Sequence, residues 1–348
     1  MRRLHERLRG WFAPAGVSRM IQMGDLLTAS WVSQGIHAIA SLGVADHMSA
    51  SPSAVADLAR SAGVDEDSLY RVLRMLVPAG LFEEHADRRF CLTALGALLR
   101  SDHPNSMRGF ATYNGTPWHW GMWGELARSV KSGAPAHADG ERTLFDFLAT
   151  DEDAASIFDA AMADLSNARD VSAISGYDFA RFKTVADIGG GEGRLIRSVL
   201  TAFPSISGVL FDRPSVIERA RARVVADGLT TRCALVGGSF FESVPPGADA
   251  YMLKQVLHDW QDDKAALILR SCRRAMGENS VLLAIEMVVP GDAGPSLAKL
   301  SDIEMLVCTG GRERTLAEYD ALFAGTGLHR VAAHETRSPF ALIEARPI

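Results

Sequence analysis

The sequence predicts an α/β fold in two parts, on three observations. The chain has 348 residues, more than one compact core needs, which favours two domains. After Phe182, short continuous apolar runs alternate with amphipathic helix-like segments, the pattern of a parallel sheet covered on both faces by helices. Between Ser51 and Arg100, a helix, a turn at Gly63, a second helix and two short strands follow one another, which is the winged-helix pattern. The expected division is an all-helical and winged-helix module over 1–103 and a second part over 104–348, helical over 104–175 and sheet-bearing over 176–348.

Each element has its own signal. Residues 17–48 place Met20, Ile21, Leu27, Trp31, Ile36, Ile39 and Leu42 on more than one helical face, so this helix needs cover on several sides, a second subunit included. In the winged-helix stretch, Leu69, Val72, Leu73 and Leu76 share one face, and "HADRR" is the turn between the strands. From 104 to 170 the chain is helical and rich in aromatic residues and Met; Trp118, Trp120, Phe145, Phe158 and Met162 are core or pocket-wall candidates. The segments "TVADIG", "GVLFD", "CALVGG", "ADAYMLK" and "SVLLAIEMVV" are the strands, and "HRVAAHETRSPFALIEARP" closes the chain as two strands at an antiparallel edge.

Composition narrows the function. A net charge of -6 argues against nucleic acid. Ser51–Arg100 carries six basic against seven acidic side chains, and the second helix opens on Asp65, Glu66 and Asp67, where a recognition helix would meet phosphates. Packing and dimerisation are the expected role of that module; a cofactor-sensing regulator is the less favoured reading. Four dispersed cysteines at no zinc-ligand spacing imply no metal, and no apolar run reaches the roughly 18 residues of a membrane span. A cytoplasmic protein is expected.

The chemistry lies where parallel strands end. Gly189, Gly190, Gly191 and Gly193 follow the first strand in "VADIGGGEG", a spacing that matches neither the dinucleotide fingerprint nor a phosphate loop. Asp187 before the loop suits a cationic ligand, with the ammonium and sulfonium of S-adenosyl-L-methionine as the matching charge pattern. Asp212, ending "GVLFD", is placed to accept from ribose hydroxyls. His258 follows the fourth strand, Glu286 ends the fifth, and Glu313 lies in the turn "TGGRERT". A histidine held by carboxylates is a general base. Its natural partner is an acidic aromatic hydroxyl: a phenol at about 10 against an ordinary histidine at about 6.5 leaves roughly 4–5 kcal/mol to overcome.

In order, "VADIGGGEG", "LFDRP", "LKQVLHDWQDD", "AIEMVVP" and "DIEMLVCTGGRERTLAEYDALFAGTGL" resemble the motifs of the S-adenosylmethionine-dependent small-molecule O-methyltransferases. That family includes plant caffeate and flavonoid enzymes, animal acetylserotonin methyltransferase and bacterial antibiotic-tailoring enzymes. The resemblance covers essentially the whole chain. It implies a Rossmann-like methyltransferase sheet, an N-terminal dimerisation domain, a homodimer and a small aromatic substrate. It also implies His258 as base flanked by Glu286 and Glu313, and cofactor contacts at Gly189, Gly191, Asp212 and Lys254. Phe240 would stack on the adenine, while Ser239 stands where the family commonly has aspartate. Met162, Asp302 and Met305 match acceptor-side positions. Some antibiotic-tailoring relatives hydroxylate or decarboxylate on this scaffold; retention of all three catalytic positions argues for methyl transfer.

Overall fold

The computed structural model describes residues 19–136, 144–167 and 176–348. Residues 19–124 with 144–167 form one compact unit, and 125–136 with 176–348 another.

The first unit begins with α1 (Arg19–Ser41). Ile39 and Ala40 are buried in it, whereas Met20, Leu27 and Trp31 are 80%, 70% and 66% exposed. Among the described residues, the apolar stripe is therefore covered only at its C-terminal end. The winged helix follows as expected: β1 (Ser53–Ala54), α2 (Val55–Ala62), α3 (Glu66–Leu76), β2 (Phe82–His85) and β3 (Arg89–Leu92), the strands in the antiparallel order β1-β3-β2. Asp65 caps α3, accepting from the backbone of Ser68, and Leu69, Leu73 and Leu76 enter the core that α1 and α2 also build.

Helices α4 (Arg108–Asn114), α5 (Pro117–Gly124), α7 (Leu144–Thr150) and α8 (Glu152–Asn167) belong to this same compact unit. The reason is local packing. The α4 helix lies against both α1 and α8, and Asp164 of α8 accepts from the backbone of Phe110 at 3.1 Å. Trp118 and Phe158 turn their rings onto Tyr113 at 5.3 and 5.9 Å, and Phe145 meets Phe158 edge-on at 6.4 Å.

The second unit contains α6 (Leu126–Ser132) and a seven-stranded sheet. Its strands are β4 (Thr184–Ile188), β5 (Ser207–Asp212), β6 (Cys233–Gly237), β7 (Ala250–Lys254), β8 (Val281–Met287), β9 (Leu328–Glu335) and β10 (Phe340–Pro347). Their order is β6-β5-β4-β7-β8-β10-β9; the first five are parallel, and the closing pair is antiparallel, as the sequence predicts. All seven residues of β8 are buried, because side chains on both of its faces meet helices. On one face lie α9 (Arg194–Ala202) and α10 (Pro214–Ala226); on the other lie α11 (Asp262–Ala275) and α13 (Leu316–Ala324). The α12 helix (Leu297–Cys308) precedes α13.

Truncating Leu283, fully buried in β8, removes contacts on the α9 and α10 face. Leu283→Ala is expected to lower stability by about 2–5 kcal/mol, read as an earlier urea midpoint.

Candidate active site

Strand β4 lies between β5 and β7, so the chain leaves β4 and β7 at neighbouring carboxyl ends, where ligands of open parallel sheets bind. Both ends carry unusual backbone. In the loop after β4, Gly189, Gly191 and Gly193 have φ of +70, +57 and +74°, angles that side chains resist. The N–H groups of Gly189 and Gly190 donate to the Phe211 carbonyl, that of Gly191 to Asp212 Oδ2 at 2.8 Å, and that of Gly193 to the Gly190 carbonyl. A phosphate cradle needs such donors turned outward. Here they are used within the protein, which fits a cofactor whose reactive end is a cation.

Asp212 sits at this edge as expected, its Oδ1 accepting from the Arg213 backbone at 2.7 Å, and burial holds its carboxyl above the ordinary range. Asp187 is different. It is 1% exposed, a Cβ on Gly190 would lie 2.7 Å from its Oδ2, and that oxygen accepts from the Ile196 backbone in the first turn of α9 at 3.3 Å. Asp187 thus lies beneath the glycine loop and braces it against α9.

Three segments converge on Gly189. A Cβ there would lie 2.9 Å from Val256 Cγ2 and 3.4 Å from Phe240 Cε1. Phe240 stands edge-on to Phe241 at 4.8 Å, with Trp260 at 6.2 Å. Ser239 opens the same turn, its carbonyl accepting from Glu242 at 3.0 Å and Ser243 at 3.1 Å. Lys254, the last residue of β7, holds its Nζ 5.4 Å over the Phe340 ring.

The exit from β7 builds the base. Gln255 has φ of +52°, a conformation costing a non-glycine residue about 1–2 kcal/mol. It turns the Val256 and Leu257 N–H groups onto Glu286 Oε1 at 3.1 and 2.9 Å. His258 then occupies a single 3₁₀ turn, Leu257–Asp259. Its Nδ1 donates to Glu313 Oε1 at 2.9 Å and lies 3.8 Å from Glu286 Oε2. Its Nε2 faces away from both glutamates, with Asp259 Oδ1 at 3.7 Å.

Glu313 is brought there by backbone contact. A Cβ on Gly311 would meet the His258 carbonyl oxygen at 2.0 Å, so only glycine permits this approach, and the Arg312 N–H donates to the same oxygen at 2.8 Å. Two residues of α12 complete the hold: Ser301 Oγ donates to Glu313 Oε1 at 2.7 Å, and Asp302 Oδ1 accepts from the Glu313 backbone at 2.9 Å. Met305 is half-buried on the same helix. Met162, half-buried on α8, belongs to the other unit.

Sequence reasoning missed Arg314, Ser301 and Asp259. Arg314 is fully buried. Its guanidinium donates to the carbonyls of Leu257 at 2.8 Å and Trp260 at 2.7 Å and to Asp262 Oδ1 at 2.8 and 3.0 Å, spanning the turn that carries His258. Its one sequence signal is an arginine next to Glu313 in a glycine-rich turn, which ordinarily reads as solvated.

The cluster has a distinct proton balance. Burial pushes the His258 imidazole down, but Glu313, then Glu286 and Asp259, outweigh it and hold it up at about 10. Burial raises Glu286 to about 7 and Asp259 to about 6, with His258 opposing in each case. The second oxygens of Glu286 and Glu313 are buried without a hydrogen-bond partner among the described residues. Ionising every carboxylate at once is therefore costly, and the cluster titrates as a unit.

With this geometry in view, comparison with known proteins is decisive. Residues 123–329 match the O-methyltransferase domain, and residues 25–102 match the O-methyltransferase dimerisation domain. The chain belongs to the O-methyltransferase family. Membership brings S-adenosylmethionine as methyl donor. Over 325 residues the chain is 38% identical to a phenazine O-methyltransferase of Lysobacter antibioticus, covering 93% of this chain and 95% of that one. It is 39% identical over 316 residues to an 8-amino-8-demethylriboflavin N,N-dimethyltransferase of Streptomyces davaonensis, covering 89% and 90%. An O-methyltransferase of neocarzinostatin biosynthesis, solved with S-adenosylmethionine and 2-hydroxy-5-methyl naphthoic acid, superposes with a TM-score of 0.79 at 36% identity, over 91% of this chain and 96% of that one.

Replacing Arg314 by lysine keeps the charge but cannot bridge two carbonyls and a carboxylate. Arg314→Lys is expected to cost about 1–3 kcal/mol of stability by chemical denaturation, with kcat falling more than KM rises. An unchanged midpoint and kcat would contradict the clamp.

Proposed function

We propose that this O-methyltransferase methylates a hydroxyl, phenolic in character, of a small aromatic secondary metabolite, with His258 as general base. The observation that carries the reading is the asymmetry of His258. Its Nδ1 is held by Glu313 beside Glu286, which leaves Nε2 for the proton of an acceptor. When bound, S-adenosylmethionine supplies an electrophilic methyl group on sulfur. For its adenosine part the chain offers Asp212 to the ribose and Phe240 with Ser239 to the adenine, along the edge formed by Gly189 and Gly191. Lys254 lines the same edge, with Asp187 bracing the loop from below. Met162, Met305 and Asp302 are the acceptor-side residues of this reading.

The raised His258 changes the proton transfer. The glutamates make the imidazole a stronger base than an ordinary histidine, which narrows its gap to a phenol at about 10. Transfer between them is less uphill than the roughly 4–5 kcal/mol an unperturbed histidine would leave. The same charges favour the protonated resting imidazole, and the active form is the one that has lost that proton.

Activity should therefore rise with pH well past the ordinary histidine range. The acid limb of kcat/KM is expected to move to lower pH in Glu313→Gln, because the largest charge holding the imidazole up is gone. His258→Ala is expected to lose about 100-fold or more in kcat. The product, checked by mass spectrometry, should be heavier by one methylene; gain of one oxygen would overturn the assignment, as would a limb that does not move.

The assembly proposed is a homodimer through the N-terminal domain, acting in the cytoplasm without nucleic-acid or membrane partners. The dimerisation-domain match and the exposed apolar length of α1 support it. The four cysteines are buried free thiols, which suits a reducing compartment. No helix among the described residues is long and apolar enough to cross a membrane. Leu27→Glu with Trp31→Glu is expected to convert the dimer to a monomer in sedimentation analysis; an unaffected dimer would remove α1 from the interface.

A further inference from the structure

The outer face of the wing carries a group of side chains that the methyl-transfer site does not use. In the β2–β3 hairpin, Glu83 pairs with Cys91 and His85 with Arg89. Strand alternation puts Glu83, His85 and Cys91 on one face, while Phe82 and Phe90 point into the core of the N-terminal unit. Cys91 Sγ lies 3.4 Å from His85 Nε2 and 3.9 Å from Glu83 Oε2, and the three ligand-type atoms all lie within 4.8 Å of one another.

These separations can be set against a real coordination shell. Tetrahedral zinc with sulfur at about 2.3 Å and nitrogen and oxygen at about 2.0 Å has ligand-to-ligand edges of roughly 3.3–3.6 Å. The two sulfur edges here are within a few tenths of an ångström of that range, a gap that rotation of the exposed Glu83 and His85 side chains closes. Cys91 is buried, and its Sγ lies against the exposed side chains of His85 and Glu83.

We propose that Glu83, His85 and Cys91 form a zinc-class divalent cation site on the wing, with three protein ligands and the fourth position open to water. The mixed thiolate, imidazole and carboxylate set selects a borderline-soft ion over magnesium or calcium. On binding, the Cys91 S–H bond breaks, the sulfur–metal bond forms and the proton leaves to solvent; nothing is oxidised or reduced. The ion would join β2 to β3 beside the turn at Asp87 and Arg88, whose φ of +58 and +51° leave that turn strained. The group at His258, Glu286 and Glu313 is unlike it: there one oxygen of each glutamate already accepts two hydrogen bonds, and no sulfur is present.

The test uses the full chain stripped with a chelator and titrated with Co²⁺ as an optical substitute for zinc. About one equivalent should bind, with near-ultraviolet thiolate-to-cobalt absorption and visible tetrahedral bands that Zn²⁺ bleaches. Cys91→Ser should abolish the thiolate band. His85→Gln and Glu83→Gln, on exposed side chains, should each weaken cobalt binding by at least the ~10-fold that even an outer-shell loss brings. Should Cys91→Ser not fold, these two variants decide. Absence of the thiolate band in the parent protein, or its persistence at unchanged affinity in His85→Gln and Glu83→Gln, overturns the site.

Discussion

Burying His258 beside Glu286, Glu313 and Asp259 carries a desolvation cost that only opposite charge and directed hydrogen bonds offset. Much of the local structure of the C-terminal unit supplies them. The strained Gln255 turn delivers two backbone N–H groups to Glu286. Ser301 and Asp302 fasten Glu313 from α12, and Gly311 lets its loop press against the His258 backbone. Arg314 anchors both sides of the histidine turn. The result is an imidazole with one nitrogen committed and a raised affinity for protons, an arrangement that no single strand end could produce.

The cofactor side follows a complementary logic. Where the histidine turn is crowded with charge, the glycine loop spends its donors inward, on Phe211, Asp212 and Gly190. That leaves a close-approach surface with little attraction for anions, bordered by the buried carboxylate of Asp212 and the ring of Phe240. Both surfaces sit at adjacent strand ends because β4 and β7 are neighbours, although 61 residues separate Ile188 from Ala250 along the chain.

Much of this was legible in one dimension. The α/β alternation, the winged helix, the antiparallel closing pair and the trio His258, Glu286 and Glu313 follow from apolar period, turn residues and motif order. Two placements were not legible there. Asp187 looked like a ligand group because it precedes the loop, but a strand-end residue faces either outward or under the turn, and spacing does not say which. The packing of α4 on both α1 and α8 joins segments distant in sequence, which local period does not show.

The sequence by itself determined the class of fold, the succession of strands and helices along the chain and the family's chemistry, because these depend on local period and on residue types at short spacing. Only the tertiary structure decided which oxygen of Glu313 holds the histidine and that Arg314 is a buried clamp rather than a solvated charge. Those facts depend on distances between segments far apart in the chain. A buried charge is recognisable only when the groups that compensate it can be seen around it.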